Sequence, residues 1–242
     1  QDRVALIHFA AGVETDNPIN PLARGFDRTS MNSKITAYNF KGGTSSFEGM
    51  YRAREQLNTV PLANRSTMRV VVFFSDGAPT SFGSYLTFKN QADSNRPGSV
   101  DRVLEEGGLG DLSSSGLKYV SEGCKTWRGS YRSGDLQSAV RSLPDWYNAR
   151  PASSYREFPI VTDTPRSVTA DISTQYLLER NVLRASRNLA ESVAEKTRSE
   201  GIYVFTLGFG PGLKEAFASD TSTNGEMILK CMANTADALP RC

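Results

Sequence analysis

The stretch Val70-Val-Val-Phe-Phe-Ser-Asp-Gly77 decides how this sequence folds. Its apolar run is continuous, does not alternate with polar residues, and gives way to Ser75 and Asp76. Short continuous runs rich in Val, Ile and Phe are typical of strands that are buried on both faces, as in a parallel sheet. Residues 3–10 and 202–207 form two more runs of this kind. The sequence therefore predicts a parallel sheet with helices on both sides.

Helical patterns separate these runs, which is the alternation expected of an α/β fold. A first helix is predicted to begin at Ser45, where Glu48 three residues later completes a capping-box pattern. A second helix is predicted over residues 174–199, because its apolar residues recur every three or four positions, at Leu178, Val182, Ala185, Leu189 and Val193. A third, shorter helix is predicted over residues 226–234.

Residues 81–170 differ from the rest of the chain. They are rich in Ser, Gly, Asn and Pro, show weak periodicity, and contain both tryptophans, Trp127 and Trp146. A stretch of this length is too long for a plain loop. We interpret it as a long irregular insertion whose aromatic side chains form either a small local core or a docking surface. Residues 1–80 and 171–242 then form the α/β domain.

The charges of the chain are balanced and spread along it. There are 28 basic and 26 acidic residues, and a net charge of +2 argues against a nucleic-acid binder or a polybasic membrane binder. No apolar run approaches the roughly 18–20 residues that span a bilayer. The stripe of Arg180, Arg184 and Arg187 on the second helix is predicted to be a solvated face, paired with Glu179 and Glu191.

Residues with special chemistry are few. The single histidine, His8, lies inside an apolar run and is interpreted as a structural residue. Among the three cysteines, a bridge between Cys231 and Cys242 would tie down the C-terminal tail, and Cys124 would then be free or pair outside the chain. No nucleophile, base and orienting group converge in the sequence. We therefore predict that the protein is not an enzyme.

Thr44 and Asp76 are the two candidate ligands of a metal ion. Asp76 directly follows a predicted buried strand, and Thr44 lies where a Gly-Gly turn enters the first helix. Ligands of open α/β sheets bind beyond the carboxyl ends of the strands, and hydroxyl and carboxylate oxygens suit Mg²⁺ or Ca²⁺. Taken alone, the same residues also fit an ordinary turn aspartate and a helix-entry threonine.

Four stretches, taken in order, resemble the von Willebrand factor type A domain. They are Asp2-Arg3-Val-Ala-Leu-Ile-His-Phe-Ala10, Gly42-Gly43-Thr44, the stretch ending in Asp76-Gly77, and Glu200-Gly201-Ile-Tyr-Val-Phe-Thr-Leu-Gly-Phe-Gly210. The resemblance covers residues 1–80 and 174–234. It implies a doubly wound, mostly parallel, Rossmann-like sheet with a metal-ion-dependent adhesion site at its upper end. Thr44 matches the threonine ligand of the family, and Asp76 matches its second aspartate.

The sequence departs from the family at its start, because the first strand with its Asp-x-Ser-x-Ser motif does not precede Arg3. One formal match, Asp111-Leu-Ser113-Ser114-Ser115, lies inside the insertion and is interpreted as a Ser-rich turn. Two oxygen ligands are too few to hold Mg²⁺ or Ca²⁺. Metal binding is therefore expected only if the remaining ligands lie upstream of Gln1 in the parent molecule.

The resemblance also implies that the missing first strand is central to the sheet. Without it, two rows of backbone groups would stay unpaired, at a cost of roughly 1–3 kcal/mol for each buried group. We therefore expect an N-terminally incomplete domain, whose first strand is supplied by an upstream segment or by another chain.

A narrower resemblance comes from Met227-Ile-Leu-Lys-Cys-Met-Ala-Asn-Thr235, which is similar to the ending of bacterial tight-adherence (Flp) pilus-assembly proteins. It implies an extracytoplasmic location (cell surface, periplasm or secreted), which a disulfide at Cys231 fits. The predicted function is a non-enzymatic protein-binding, adhesion or pilus-assembly module with a partial metal-ion-dependent adhesion site. The alternative is a structural subunit of an extracellular assembly with a vestigial metal site, in which residues 81–170 make the contacts.

Overall fold

The computed structural model describes residues 2–10, 12–39, 43–86, 105–113, 116–121, 126–130, 142–147, 156–216 and 220–234. The strands are β1 (Leu6–Phe9), β2 (Val13–Asn17), β3 (Val70–Ser75), β4 (Ser81–Leu86), β5 (Glu105–Ser113), β6 (Gly116–Ser121), β7 (Thr126–Ser130) and β8 (Tyr203–Gly208). The helices are α1 (Arg28–Ala37), α2 (Ser46–Asn58), α3 (Gln175–Ser199) and α4 (Gly225–Met232), with short 3-10 turns at Leu62–Asn64 and Pro211–Lys214. Within these ranges, none of the helices combines the length and the apolar character needed to cross a membrane.

The described strands form three separate sheets. β1 and β2 make an antiparallel hairpin, β3 and β8 pair in parallel, and β4 to β7 form an antiparallel sheet in chain order. The parallel pair keeps its register from Val70 opposite Tyr203 to Ser75 opposite Gly208. The helices and this small parallel sheet confirm the α/β class that the sequence predicts.

The main core lies on one face of the β3–β8 pair. Val71 and Phe73 of β3 point into this core together with Val204 of β8. Helices α2, α3 and α4 supply the facing side chains, among them Phe47, Met50, Leu178, Leu189, Val193, Ile228 and Met232. Because full burial of such side chains contributes about 1.5–3 kcal/mol each, this cluster is the main source of stability.

The opposite face of the β3–β8 pair is not covered by any other element that the structure describes. Five apolar side chains make up this exposed sheet face, and each is between 49% and 63% exposed: Val72, Phe74, Tyr203, Phe205 and Leu207. The prediction that these strands are buried on both faces is therefore wrong for the residues described. The reason is that α2, α3 and α4 pack with the same face of the pair.

The helices begin close to the residues that the sequence predicts, but one predicted capping interaction is absent. Ser45 is the N-cap of α2, as predicted, and Thr174, where the second helix is predicted to begin, is the N-cap of α3. The predicted capping box is wrong, because the Ser45 side chain makes no cap hydrogen bond. The Glu48 carboxylate instead accepts hydrogen bonds from the Gly83 N–H at 3.0 Å and the Tyr147 hydroxyl at 2.9 Å. Glu48 is buried, so its carboxylate bonds to distant residues rather than to the start of its own helix.

The insertion is more regular than predicted. Within the described residues of 81–170, four strands pair into the antiparallel sheet β4–β5–β6–β7. β5 contains Gly107-Gly108-Leu109-Gly110. Because glycines have no side chains, such a strand lacks the alternation of apolar and polar residues from which a strand is predicted. Asp111 and Ser113, from the formal metal motif, belong to β5, while Ser114 and Ser115 lie outside the described residues.

The arginine stripe of α3 is not a solvated face throughout. Arg187 is fully buried, and its Nη1 lies 2.6 Å from the Asp220 carboxylate. Glu191 pairs at 2.9 Å with Arg166, which comes from outside the helix. The prediction for Arg187 is wrong because segments from residues 166 and 220 pack against this side of α3 and bring their own charges.

Candidate functional site

The two predicted metal ligands, Thr44 and Asp76, lie at the same end of the molecule. Asp76 directly follows β3, and its side chain is exposed. At the end of β1, the Ala10 carbonyl accepts a hydrogen bond at 2.7 Å from the N–H of Ser45, the residue after Thr44. The carboxyl ends of β1 and β3 therefore both lie beside the start of α2.

Backbone hydrogen bonds fix Thr44 to the segment after β3. The Thr44 N–H donates to the Thr80 hydroxyl at 2.9 Å, and the Thr80 N–H donates back to the Thr44 carbonyl at 2.9 Å. A Cβ added at Gly77 would lie 3.6 Å from the Thr44 hydroxyl oxygen. The Thr44 hydroxyl thus lies beside the turn that carries Asp76.

Gly212 and Gly225 pack closely against the turn that begins at Asp76. A Cβ at Gly212 would lie 2.8 Å from the Asp76 carbonyl oxygen, and one at Gly225 would lie 2.8 Å from the Ala78 nitrogen. Both distances are too short for a real side chain, so the turn can only be approached this closely by glycine. Both α4 and the 3-10 turn at Pro211–Lys214 pack against this turn. Their packing fixes the position of Asp76 at the end of β3.

The side chains at the carboxyl ends of β1 and β3 offer hard oxygen atoms as metal ligands. Thr44 offers a half-buried hydroxyl and Asp76 offers an exposed carboxylate. The hydroxyls of Ser45 and Ser81 are buried beside Thr44 and have no hydrogen-bond partner in the described part of the chain. Mg²⁺ and Ca²⁺ favour oxygen ligands but take six or more of them. The residues present therefore fit one side of such a site and do not complete it.

A large cavity runs between β1 and β3 and reaches this end. This inter-strand cavity has a volume of about 1560 Å³ and is lined by both strands along their whole length. Thr44 and Asp76 line it at the carboxyl ends of the strands, while Arg3 and Met68 line it at their amino ends. Ala53 and Leu57 of α2 are among its wall residues. The candidate ligands thus lie at the mouth of a space between two strands.

A second polar group involves His8, which lies on β1 and also lines the cavity. Its Nδ1 lies 2.7 Å from the Asp16 carboxylate, and the Tyr38 hydroxyl donates to the same oxygen at 2.6 Å. Ligand atoms of His8, Glu14 and Asp16 lie within 4.8 Å of one another, so this group has the composition of a metal site. The Asp16 oxygen already accepts both hydrogen bonds, and we assign the group to the structure of the β1–β2 hairpin.

Hydrogen bonding decides the charge state within this group. Burial by itself raises the pKa of Asp16, but the hydrogen bonds from Tyr38 and His8 outweigh it, and the pKa lies below its ordinary value. Burial and the Asp16 carboxylate raise the pKa of Tyr38. Asp16 therefore stays ionised and Tyr38 stays protonated near neutral pH, which keeps the tyrosine a hydrogen-bond donor.

Sequence reasoning identified His8 as a structural strand residue but missed its partners. Glu14 lies opposite His8 in the hairpin, and Asp16 follows it on the same side of β2. Glu14 and Asp16 are two positions apart, and alternate residues of a strand share a face. This spacing is the feature of the sequence that could have predicted that both lie near His8. Tyr38 could not be found in this way, because it follows α1, more than twenty residues further along the chain.

Comparison with known proteins adds no relative: no family model, curated protein or solved structure matches this chain. The predicted resemblance to the von Willebrand factor type A domain stays a prediction. The pairing of the cysteines also stays a prediction. Cys231 is buried in α4, whereas Cys124 and Cys242 lie outside the described residues, and so the predicted pairing of Cys231 with Cys242 is not tested.

Proposed function

We propose that this protein is a non-enzymatic binding module of the von Willebrand factor A type, which recognises a protein partner in adhesion or pilus assembly. The single observation that supports this proposal is the position of the Thr44 hydroxyl beside the Asp76–Gly77 turn, 3.6 Å from where a Cβ on Gly77 would lie, at the carboxyl ends of β1 and β3. In open α/β sheets, that end is where ligands bind. Thr44 and Asp76 would hold a divalent cation from the protein side.

The chemistry of the proposed site follows from its donors. Bound Mg²⁺ or Ca²⁺ would supply a positive charge and an open coordination position for a carboxylate of the partner. Asp76 would contribute a negatively charged ligand, and Thr44 a neutral one fixed by its backbone bonds to Thr80. The remaining oxygen ligands would come from a strand upstream of Gln1 or from another chain. The same strand would complete the doubly wound sheet expected of this family.

The proposed setting is extracytoplasmic, at the cell surface, in the periplasm or in secreted form. Its support is the resemblance of the C-terminal residues to the ending of tight-adherence pilus-assembly proteins, which carry this domain outside the cytoplasm. A disulfide at Cys231 would fit such an oxidising compartment.

A charge-neutral change at the site tests the proposal. In the full-length protein, Asp76→Asn should lower binding to partner-bearing cells at least tenfold, because the neutral amide is a poor cation ligand. Chelation of divalent cations should lower binding of the unchanged protein to the same level. The matched control is Asp163→Asn, which removes an exposed carboxylate from another part of the surface. Binding that survives both chelation and Asp76→Asn would contradict the cation-dependent mechanism.

A structural subunit with a vestigial metal site is the second candidate. The antiparallel sheet β4–β7 in the insertion favours it, since β7 pairs only with β6 among the described strands and leaves an edge for a neighbouring molecule. In that case Asp76→Asn would leave assembly unchanged. A proline in β7 at Arg128 would reduce assembly, because proline cannot donate a backbone hydrogen bond at a sheet edge.

A further inference from the structure

Phe209 is the most exposed aromatic residue in the part of the chain that the structure describes, at 71%. It directly follows β8, so it lies one residue beyond the end of a strand, as Asp76 does on β3. Its ring belongs neither to the core nor to the proposed cation ligands. A single exposed apolar residue needs no explanation by itself, and what distinguishes Phe209 is its position beside Asp76.

A backbone hydrogen bond fixes that position. The parallel pair stays in register up to Ser75 opposite Gly208, and the Phe209 N–H then donates to the Ser75 carbonyl at 3.1 Å. In a parallel ladder, a residue that donates in this way lies opposite the residue after its acceptor. Phe209 therefore lies opposite Asp76, at about 4.8 Å, which is the ordinary spacing of neighbouring strands.

Phe209 and Asp76 also stand on the same face of the β3–β8 pair. Alternate residues of a strand share a face, and the exposed sheet face contains Phe74 of β3 and Leu207 of β8. Asp76 and Phe209 come two positions after these residues and are exposed as well. They form one further row beyond the exposed sheet face, in which a carboxylate and an aromatic ring are neighbours.

The backbone around Phe209 is held in place. Gly210 follows it with a φ of 96°, in the left-handed region that favours glycine, and the chain then enters the 3-10 turn at Pro211–Lys214. Leu213 of this turn packs on the core side of Gly208, since a Cβ on Gly208 would lie 2.6 Å from the Leu213 Cδ1 atom. The turn thus folds towards the core and leaves most of the Phe209 ring exposed. A ring held in this way loses little conformational entropy on binding.

We propose that Phe209 is a specificity-determining residue of the site at Asp76. The partner segment that it selects is an extended peptide with an apolar side chain two positions from its acidic residue. This inference rests on the proposed function, in which a carboxylate of the partner binds a cation held by Thr44 and Asp76. In an extended peptide, side chains two positions apart lie on the same side, about 7 Å from each other. With the acidic side chain on the cation, the apolar one reaches the neighbouring strand end and packs on Phe209.

The other side of Asp76 has a different chemistry. Thr44 lies there, on the side of the inter-strand cavity, and presents a half-buried hydroxyl. An apolar side chain placed on this hydroxyl would remove it from water without giving it a hydrogen bond, which costs free energy. The apolar side chain of the partner therefore has its favourable place on the Phe209 side.

The test measures binding of the full-length protein to beads that carry one of two synthetic peptides, in a buffer with Mg²⁺ and Ca²⁺. One peptide has an aspartate and, two positions later, a phenylalanine in a Gly-Ser background. The other peptide has serine in place of the phenylalanine. The unchanged protein should bind the first peptide about tenfold more tightly, the effect of burying one apolar side chain. Phe209→Ser should abolish this preference, and Phe209→Leu should keep part of it.

The matched control is Phe205→Ser, which removes an aromatic ring from the exposed sheet face about 13 Å from Phe209 along β8. It should leave the preference unchanged, because a short peptide centred on Asp76 does not extend that far. Both rings are at least half exposed, so neither serine variant should lower Tm by more than about 3 °C.

Equal affinity of the unchanged protein for the two peptides would overturn the inference, and so would binding of neither. A preference that survives Phe209→Ser, or that Phe205→Ser removes equally, would also overturn it. The proposed function has a separate readout. If chelation and Asp76→Asn release both peptides but their affinities are equal, the cation site stands without a role for Phe209. If the preference for phenylalanine depends on Phe209 but survives chelation and Asp76→Asn, the cation-dependent mechanism fails and the contact at Phe209 stands.

Discussion

At the scale of single residues, the buried pair of Arg187 and Asp220 shows how this molecule handles charge in its core. The side chains are 0% and 1% exposed and lie 2.6 Å apart. The Ser222 hydroxyl donates to the other Asp220 oxygen at 2.6 Å, and Thr223 accepts from Arg187. The pair is tolerated because each charge meets an opposite charge and further hydrogen bonds. Removing the Asp220 charge leaves the buried Arg187 without its carboxylate partner.

Asp220→Asn should therefore lower the free energy of unfolding by about 3–5 kcal/mol, the usual cost of breaking a buried ion pair from one side. Urea denaturation at neutral pH measures it. The control is Lys230→Ala, which removes an exposed partner of Glu226 and should cost no more than about 1 kcal/mol. Equal losses in the two variants would show that the buried pair is not special.

At the scale of elements, Glu200 holds two helices and a strand together. It follows α3, and its carboxylate accepts hydrogen bonds from Arg54 at 2.6 Å and from Asn58 at 2.9 Å, both on α2. Arg69, directly before β3, donates to the Glu200 backbone carbonyl. Burial raises the pKa of Glu200, but the hydrogen bonds from Arg54 and Asn58 outweigh it and lower the pKa to about 2.

The pKa of Glu200 predicts an acid-sensitive contribution to stability. Since the folded pKa of about 2 lies below the ordinary value of 4.5, the contribution is present above pH 4.5 and is lost as the pH falls towards 2. Glu200→Gln should cost about 2–3 kcal/mol at pH 7 and less than half of that at pH 3. Urea denaturation across this range measures it. The control is Glu55→Gln, at an exposed partner of Arg52, which should cost no more than about 1 kcal/mol at pH 7.

At the scale of the whole molecule, the core is closed on one side of the β3–β8 pair and open on the other. The closed side buries side chains of three helices, whereas the exposed sheet face leaves Val72, Phe74 and Phe205 more than half exposed. Contiguous apolar surface of this kind marks an interaction site. The open side, rather than the closed one, is where this molecule is expected to gain contacts.

A hydrophobic dye should bind the exposed sheet face and fluoresce there. Phe74→Ser with Phe205→Ser should reduce dye fluorescence several-fold and lower Tm by less than about 3 °C, because side chains that are already exposed contribute little burial. Leu22→Ser with Leu62→Ser, at scattered exposed residues, is the matched control and should leave the fluorescence unchanged. Equal effects of the two pairs would contradict a single apolar face.

The sequence by itself determined the features that depend on neighbours along the chain. The continuous runs predicted β1, β3 and β8, the apolar spacing predicted α3, and the position of Asp76 after a strand placed it at a strand end. Thr44 could be placed in the same way, at the entry to α2. These features are local, because strand and helix patterns act over a few residues.

Only the tertiary structure decided which of these residues meet and what covers them. It buried Arg187 against Asp220, 33 positions away, and turned Glu48 from the start of its own helix to Gly83 and Tyr147. It paired the strands of the insertion, including the glycine-rich β5, through their backbones and left one face of the parallel pair exposed. Burial and strand pairing depend on contacts between segments that are far apart in the chain. The local sequence pattern of one segment does not predict which distant segment it will contact.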